Sequence, residues 1–346
     1  MNRRLVVAVV ALSLTACSGG QGGALPQSAS PAGLGATGAS DAVPASAGNV
    51  FVANFYGNSV NVYSPDGKSK VRTITNGIAY PNALGFNKSG SLFVGNYGSP
   101  SGSFTSNVAV YPPSGGSPTR TIVQGVLGPY AFAFDSKSNL YVANYGGATI
   151  TVYKAGSSSL LQTINRDVRS PEALLFDKSG NLYVANWGNN SVTVYEPPKL
   201  KLKTSIKTGV FRPDALAMDA AQNLYVANRS ANTVTVYAPN HKNAPQTIRK
   251  GVRQPAALIS TASKELFVLN YSNDTVSVYS EATLALERTI ATGIACPTAM
   301  AMSSSGLLFV ANSCPSSVSV YSSTGSKPLR SITKGLDGPV AIDIQP

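Results

Sequence analysis

Polar residues recur at one point of a repeated motif, directly after a proline that opens a short apolar run. In chain order, the residues at this point are Asn82, Tyr130, Glu172, Asp214, Ala256, Thr298 and Val340. Converging oxygen atoms are the ligands that Ca²⁺ and Mg²⁺ prefer in proteins. Asn82, Glu172 and Asp214 are therefore candidate metal ligands, and the alternative is that they are solvated loop residues.

Aromatic and basic residues flank the same points of the motif. Before the prolines stand Tyr80, Arg169, Arg212 and Arg253; after a recurring Asn stand Phe55, Tyr97, Tyr145, Trp187 and Tyr271, with Arg229 and Ser313 in the other copies. Aromatic rings beside cations hold sugars, anions or extended peptides. The pattern favours a ligand-binding face that contains Tyr130, Tyr145, Trp187, Arg169, Arg212 and Arg253. Aromatics that merely cover strand ends, beside solvated arginines, are the alternative.

The chain contains one histidine, His241, in a loop expected on the face opposite to these residues. This count excludes a Ser-His-Asp triad and metal sites built on several histidines. The sequence therefore does not by itself show an enzyme.

A repeated motif of short strands must position these residues. Seven copies of an apolar run end in Asn, and consecutive copies are 42 residues apart except for one spacing of 48. The Asn residues are Asn54, Asn96, Asn144, Asn186, Asn228, Asn270 and Asn312. A period of this length built only of strands and turns is typical of a propeller blade. Each Asn is expected to cap the turn that follows it, and a ring of ligand-binding Asn residues is the alternative.

The two ends of the repeated region complement each other. The first copy begins at its second strand, near Asn49, whereas the last copy stops after a first strand that starts at Pro339. The last strand is therefore expected to complete the first blade and to leave no free sheet edge. The sequence predicts an all-β fold: one domain over residues 49–346, a closed propeller of seven four-stranded blades.

The N-terminal segment predicts export. Residues 1–16 combine Arg3 and Arg4 with a short apolar run, as a signal peptide does. Leu14-Thr15-Ala16-Cys17 resembles the lipobox of bacterial lipoproteins, which implies acylation of Cys17 and cleavage before it. An ordinary signal peptide with an incidental cysteine is the alternative. Residues 17–48, rich in Gly, Ala, Ser and Pro, are expected to be a disordered tether to the membrane.

The net charge and the predicted cellular location restrict the classes of partner that the protein is expected to bind. The 27 Lys and Arg against 15 Asp and Glu give a net charge of +12, which favours anionic envelope polymers. Nucleic acid is not expected, because the chain is predicted to be exported and no basic stripe is clustered in the sequence. An exported, membrane-anchored monomer on the periplasmic or cell-surface side is the expectation, with an envelope protein, a glycan or a small molecule as its ligand.

Cys296 and Cys314 lie in one copy of the motif, in two loops that a propeller places side by side. An exported protein meets an oxidising compartment, so a disulfide between them is predicted. Two free thiols are the alternative.

The repeat resembles those of the NHL and YVTN propellers, as in Pro171-Glu172-Ala173, then Asp177, Gly180 and the run 182–186. The resemblance implies the propeller fold and is compatible with binding, scaffolding or hydrolysis. Pro81-Asn82-Ala83 and Pro213-Asp214-Ala215 look similar to the metal-binding strand entries of calcium-dependent gluconolactonase-like propellers, with Ala in place of their Gly. We therefore expect a binding or scaffold module of the cell envelope, or alternatively a Ca²⁺- or Mg²⁺-dependent lactonase-like hydrolase.

Overall fold

The computed structural model describes residues 48–98, 105–241 and 244–346, without the side chain of Asn240. The export signal, Cys17 and nearly all of the tether lie outside the described residues, so these features stay predictions.

The described chain consists of strands joined by turns. Blade 1 contains β1 (Val50–Asn54), β2 (Ser59–Tyr63) and β3 (Lys70–Ile74); blade 2 contains β4 (Pro81–Phe86), β5 (Leu92–Asn96), β6 (Asn107–Tyr111) and β7 (Arg120–Ile122); blade 3 contains β8 (Pro129–Phe134), β9 (Leu140–Asn144), β10 (Thr149–Tyr153) and β11 (Leu160–Ile164). Blade 4 contains β12 (Pro171–Phe176), β13 (Leu182–Asn186), β14 (Ser191–Glu196) and β15 (Lys201–Ile206); blade 5 contains β16 (Pro213–Met218), β17 (Leu224–Asn228), β18 (Thr233–Tyr237) and β19 (Gln246–Ile248). Blade 6 contains β20 (Pro255–Ser260), β21 (Glu265–Asn270), β22 (Thr275–Ser280) and β23 (Leu286–Ile290); blade 7 contains β24 (Pro297–Met302), β25 (Leu307–Asn312), β26 (Ser317–Ser322) and β27 (Arg330–Ile332), and β28 (Pro339–Ile344) follows. Short 3₁₀ turns occupy Trp187–Asn189, Arg229–Ala231 and Pro239–His241. No helix among these described residues is long and apolar enough to span a bilayer.

These strands form seven four-stranded antiparallel sheets. The last strand, β28, pairs with β1, with Ile342 opposite Val52, and completes blade 1 as predicted. Each first strand contacts the first strands of both neighbouring blades, so the seven inner strands form a closed ring. The predicted seven-bladed all-β propeller is confirmed.

The register defines two faces of the ring. In blade 4, Pro171 pairs with Asn186 and Asn186 with Ser191, so the start of the inner strand shares one face with the turn between the second and third strands. We call this the mouth face. The opposite face carries the ends of the inner strands, and the described chain enters there, where the Gly48 N–H donates to the Gln345 carbonyl at 2.9 Å.

The recurring Asn residues hold the loops that join consecutive blades. The Asn186 side-chain oxygen accepts a hydrogen bond from the Arg169 N–H at 3.1 Å, and its amide group donates to Thr193 at 2.9 Å. In all seven copies the Asn oxygen accepts the equivalent N–H of the preceding loop. The Asn residues thus have a structural role, as predicted, but the predicted partner was wrong: Asn186 and Asn228 make no side-chain capping bond to the turn that follows, and their side-chain oxygens hold the preceding inter-blade loop instead.

A tyrosine near the end of each third strand holds the same loop at another point. The Tyr237 hydroxyl donates to the Thr208 carbonyl at 2.5 Å, and the Tyr279 hydroxyl donates to the Lys250 carbonyl at 2.6 Å. The other five copies repeat this bond. Each inter-blade loop is therefore fixed against the blade that follows it.

The predicted disulfide is present. Cys296 and Cys314 are bonded, with their Cα atoms 5.5 Å apart, and the bond joins an inter-blade loop to the turn after β25.

Candidate functional site at the channel mouth

A backbone irregularity places one residue of each inner strand at the channel mouth. In blade 4 the pairing of β12 with β13 shifts between Pro171 and Ala173, so Glu172 has no partner in the register. The same shift occurs at Asn82, Tyr130 and Asp214 in blades 2, 3 and 5. A bulge re-aims the side chain it carries, and this one recurs where the inner strands enter the ring.

The four polar side chains at this position are buried. Glu172 and Asp214 are 0% exposed, Tyr130 is 2% exposed and Asn82 is 4% exposed. The four polar residues that follow a proline in the motif therefore lie at the starts of four consecutive inner strands, β4, β8, β12 and β16.

Asp214 is paired with an arginine from the next turn of its own blade. Arg229 Nη1 lies 3.1 Å from Asp214 Oδ2, and Arg229 is 7% exposed. The Arg229 guanidinium also lies 4.9 Å from the centre of the Tyr271 ring. In the sequence Arg229 only interrupts a series of aromatic residues, and the repeat predicts no partner for it.

Several buried polar atoms at the mouth lack a hydrogen-bond partner among the described residues. By strict geometry they are Asn82 Nδ2, the Tyr130 hydroxyl, both carboxyl oxygens of Glu172 and Asp214 Oδ1. The Glu172 carboxyl nevertheless lies close enough to the Tyr130 hydroxyl and the Asp214 carboxyl for weak hydrogen bonds to both, so these three groups satisfy one another in part and Asn82 Nδ2 does not. Burying a polar atom without a partner is unfavourable by about 1–3 kcal/mol. Water or a ligand at this point would relieve that penalty.

Burial and mutual repulsion change the protonation of the two carboxyl groups. Burial, and then the charge of Asp214, raise the pKa of Glu172 well above its usual range, although Arg229 opposes the shift. Burial raises the pKa of Asp214 to about 6 and Arg229 opposes that shift too. Of the two carboxyl groups, Glu172 has the more strongly raised pKa and is therefore the one that holds a proton more readily, whereas Asp214 is the one paired with Arg229.

Aromatic rings cover this cluster. The Tyr145 ring lies 5.3 Å from the Tyr130 ring with a tilt of 31°. Trp187 lies in the next turn around the ring, with the Arg212 guanidinium 5.4 Å from its centre. The predicted face residues Tyr130, Tyr145, Trp187 and Arg212 thus share the mouth face, and Arg169 and Arg253 lie there in equivalent loops.

The metal-ligand set fits this geometry poorly. Glu172 and Asp214 offer unpartnered oxygens, but the Arg229 guanidinium already neutralises Asp214 and would repel a divalent cation bound beside it. The described residues contain no group of three or more His, Cys, Asp and Glu side chains arranged for a metal. Metal binding by Asn82, Glu172 and Asp214 stays a prediction.

The histidine lies away from this site. His241 lines a groove of about 930 Å³ on the opposite face, between blades 4 and 5. Its ring centre is 5.7 Å from that of Tyr183, and burial lowers its pKa.

No known family model matches the chain, and no curated protein matches it by sequence. Solved structures do match its fold. A periplasmic gluconolactonase from Pseudomonas aeruginosa aligns with a TM-score of 0.68 and 17% identity over 86% of this chain and 99% of its own. A virginiamycin B lyase from Staphylococcus aureus aligns with a TM-score of 0.66 and 12% identity over 79% and 93%. A protein of unknown function from Desulfotomaculum acetoxidans aligns with a TM-score of 0.71 and 13% identity over 86% and 98%. At these identities the likeness is one of fold: the chain is built on the same propeller fold as these proteins.

Proposed function

We propose that the chain is an exported binding module of the cell envelope that holds a small, hydroxyl-bearing ligand at the channel mouth. The observation that carries this proposal is the set of unpartnered buried polar atoms on four consecutive inner strands. Buried polar groups in folded proteins almost always have partners. A pre-formed site that waits for a ligand accounts for several such atoms at the channel mouth, where Tyr130, Glu172 and Asp214 lie close together.

The chemistry of the cluster favours hydroxyl groups. Asn82 Nδ2 can only donate, Asp214 Oδ1 can only accept while it is ionised, and protonated Glu172 does both. A polyol or sugar presents donors and acceptors together and so can satisfy all three. A cation satisfies only the acceptors and meets the positive charge of Arg229.

The surrounding rings suit the same ligand class. Tyr145 and Trp187 lie at the mouth, and an aromatic face beside polar groups accommodates the apolar face of a sugar ring. Tyr145 lies over Tyr130, so the ligand enters by displacing or stacking on this ring.

Location in the cell envelope is part of the same proposal. Cleavage before Cys17 and its acylation would anchor a monomer to the membrane through the predicted tether. In a Cys17→Ser variant produced in a bacterial host, we expect the protein to move from the membrane fraction to the soluble fraction. Retention at the membrane would contradict lipid anchoring.

Thermal unfolding with a panel of sugars, sugar acids and polyols tests the ligand proposal. A ligand at a hundred times its Kd adds about 2.7 kcal/mol to the free energy of unfolding, which raises Tm by several degrees. The shift should disappear in Glu172→Leu and in Asn82→Ala, and should persist in Glu196→Gln, an exposed carboxylate on the opposite face. A shift that survives Glu172→Leu, or a panel without any shift, would overturn the proposal.

A hydrolase is the second candidate, and the two neighbouring buried carboxyl groups of Glu172 and Asp214 at the channel mouth favour it. Environments that push the pKa values of two neighbouring acids apart suit one as general acid and the other as general base. On a lactone, Asp214 would take a proton from the attacking water while Glu172 gave its proton to the leaving ring oxygen. The carbonyl carbon would gain the bond to water and lose the bond to the ring oxygen.

A lactone panel with and without EDTA distinguishes the versions of this candidate. Turnover lost in Glu172→Gln but resistant to EDTA would support acid–base hydrolysis. Turnover abolished by EDTA and restored by Ca²⁺ or Mg²⁺ would support the metal-dependent form with Asn82, Glu172 and Asp214 as ligands. Absence of turnover would remove both.

A further inference from the structure

The cations of the inter-blade loops are concentrated in three consecutive loops. Loops 165–170, 207–212 and 249–254 carry seven of them: Arg166, Arg169, Lys207, Arg212, Arg249, Lys250 and Arg253. The equivalent loops 75–80, 123–128, 291–296 and 333–338 carry one, Lys334. We call the three loops the basic arc. Residues 42 positions apart in the sequence meet here on neighbouring blades, so the clustering is not visible along the chain.

The charge of the basic arc is exposed and not neutralised. All seven cations are exposed, and Asp167 is the one acidic residue in the three loops. None of the seven forms an ion pair with a described residue, whereas Arg229, just inside the mouth, is paired with Asp214. A surface of this kind attracts a partner of opposite charge.

The backbone of the basic arc is held in place before any partner arrives. The N–H groups of Arg169, Phe211 and Arg253 donate to the side chains of the three Asn residues that end β13, β17 and β21. The carbonyls of Arg166, Thr208 and Lys250 accept from tyrosine hydroxyls. Binding to a fixed surface loses less conformational entropy than binding to a mobile one.

Aromatic side chains lie among these cations. Phe211, in the middle loop, is 47% exposed, and its neighbour Arg212 contacts the Trp187 ring. A ligand that carries both negative groups and ring faces fits this mixture better than one that carries negative groups alone. Five of the seven cations are arginines, whose planar guanidinium matches a carboxylate with two parallel hydrogen bonds.

We infer that the basic arc binds an acidic glycan, a sugar polymer with regularly spaced negative groups. This ligand is additional to the small ligand proposed for the channel mouth, and the two proposals fail separately. Glu172→Leu should remove the small ligand and leave the glycan bound, and loss of the glycan in a variant of the arc is measured in the absence of any small ligand.

Binding of a size-defined oligogalacturonate to the full-length protein tests the inference, with a neutral glucose oligomer of the same length and phosphatidylglycerol vesicles as comparison probes. The arc variant Arg169→Gln, Arg212→Gln, Arg253→Gln removes three charges. Gln is compatible with the backbone at position 212, because Gln254 stands at the equivalent point with a φ of 43° against 46° for Arg212. The matched control is Lys137→Gln, Lys154→Gln, Lys264→Gln, three exposed lysines in turns of the opposite face.

We expect the oligogalacturonate to bind, its affinity to fall as NaCl rises, and the neutral oligomer not to bind. Affinity should drop by roughly tenfold or more in the arc variant, from three lost charge contacts, and by less than about twofold in the control. Three results would each overturn the inference. The two variants could lose affinity equally, the neutral oligomer could bind as well as the oligogalacturonate, or the protein could bind the vesicles and fail to bind the oligogalacturonate. Unchanged Tm values show that both variants are folded.

Discussion

Arg229 Nη1 lies 3.1 Å from Asp214 Oδ2, and both side chains are buried where the channel opens. The pair belongs to one blade, but the two residues occupy different points of the repeat. Asp214 follows the proline of the inner strand, and Arg229 follows the Asn that ends the second strand.

Removing the Asp214 carboxylate should show how much the buried ion pair with Arg229 contributes to the free energy of unfolding. Breaking a buried ion pair leaves one charge without its partner, so Asp214→Asn should lower the free energy of unfolding by about 3–5 kcal/mol at pH 8. Asp214→Asn with Arg229→Met removes both charges and should recover most of the loss. Urea unfolding gives the free energy of unfolding of the wild type, the single variant and the double variant.

The matched control is Glu196→Gln, which breaks the pair between Lys203 and Glu196 at 3.5 Å on the surface. That change should alter stability by less than about 1 kcal/mol. If Asp214→Asn is no worse than this control, the buried pair does not contribute as described.

Asp343 should make the protein less stable as pH rises. This half-buried residue of β28 has a pKa raised by burial from 3.8 to about 7. The folded state therefore holds the proton more tightly than the unfolded state. The stabilisation is complete below about pH 4 and is lost as pH rises to about 7. The raised pKa values of Glu172 and Asp214 act in the same direction.

The isosteric variant Asp343→Asn cannot ionise, so it should gain Tm relative to the wild type between pH 5 and pH 8, by several degrees. Tm measured at each pH unit for the wild type, Asp343→Asn and the exposed-site control Asp167→Asn checks this. Parallel curves for the wild type and Asp343→Asn would show that Asp343 does not titrate as proposed.

The tyrosine hydroxyls should stabilise the propeller through the inter-blade loops. Tyr195→Phe removes the hydroxyl that donates to the Arg166 carbonyl and keeps the buried ring. We expect a loss of about 1 kcal/mol in the free energy of unfolding. Tyr56→Phe, at a ring that is 58% exposed, is the control and should be neutral. Equal stability of both variants and the wild type would assign the tyrosines to ring packing alone.

The fold was predictable because the sequence motif of one blade occurs seven times in the chain. The constant spacing of the Asn residues gave the blades, and the complementary ends at Asn49 and Pro339 gave the closure by β28. The disulfide between Cys296 and Cys314 was predictable from the same geometry, because the two loops that carry these cysteines lie side by side in one blade.

The candidate site was predictable only in part. The position after each proline identified Glu172 and Asp214, but nothing in the repeat shows that Arg229 crosses to Asp214. That contact depends on a side-chain conformation at the crowded mouth. The signal for the tyrosine bonds was present, since Tyr rather than Phe stands at the position of Tyr195 in all seven copies. Its meaning required the path of the inter-blade loop.

The closure of blade 1 by β28 sets an order on how the protein is assembled. A chain that emerges from its N-terminus first presents β1 without its inner partner until residues 339–344 appear. Blades 2–7 can be complete by then, whereas blade 1 still has an open edge at β1. The ring therefore closes only when nearly the whole repeated region is available, and until then the free edge of β1 is open to pairing with a strand of another chain.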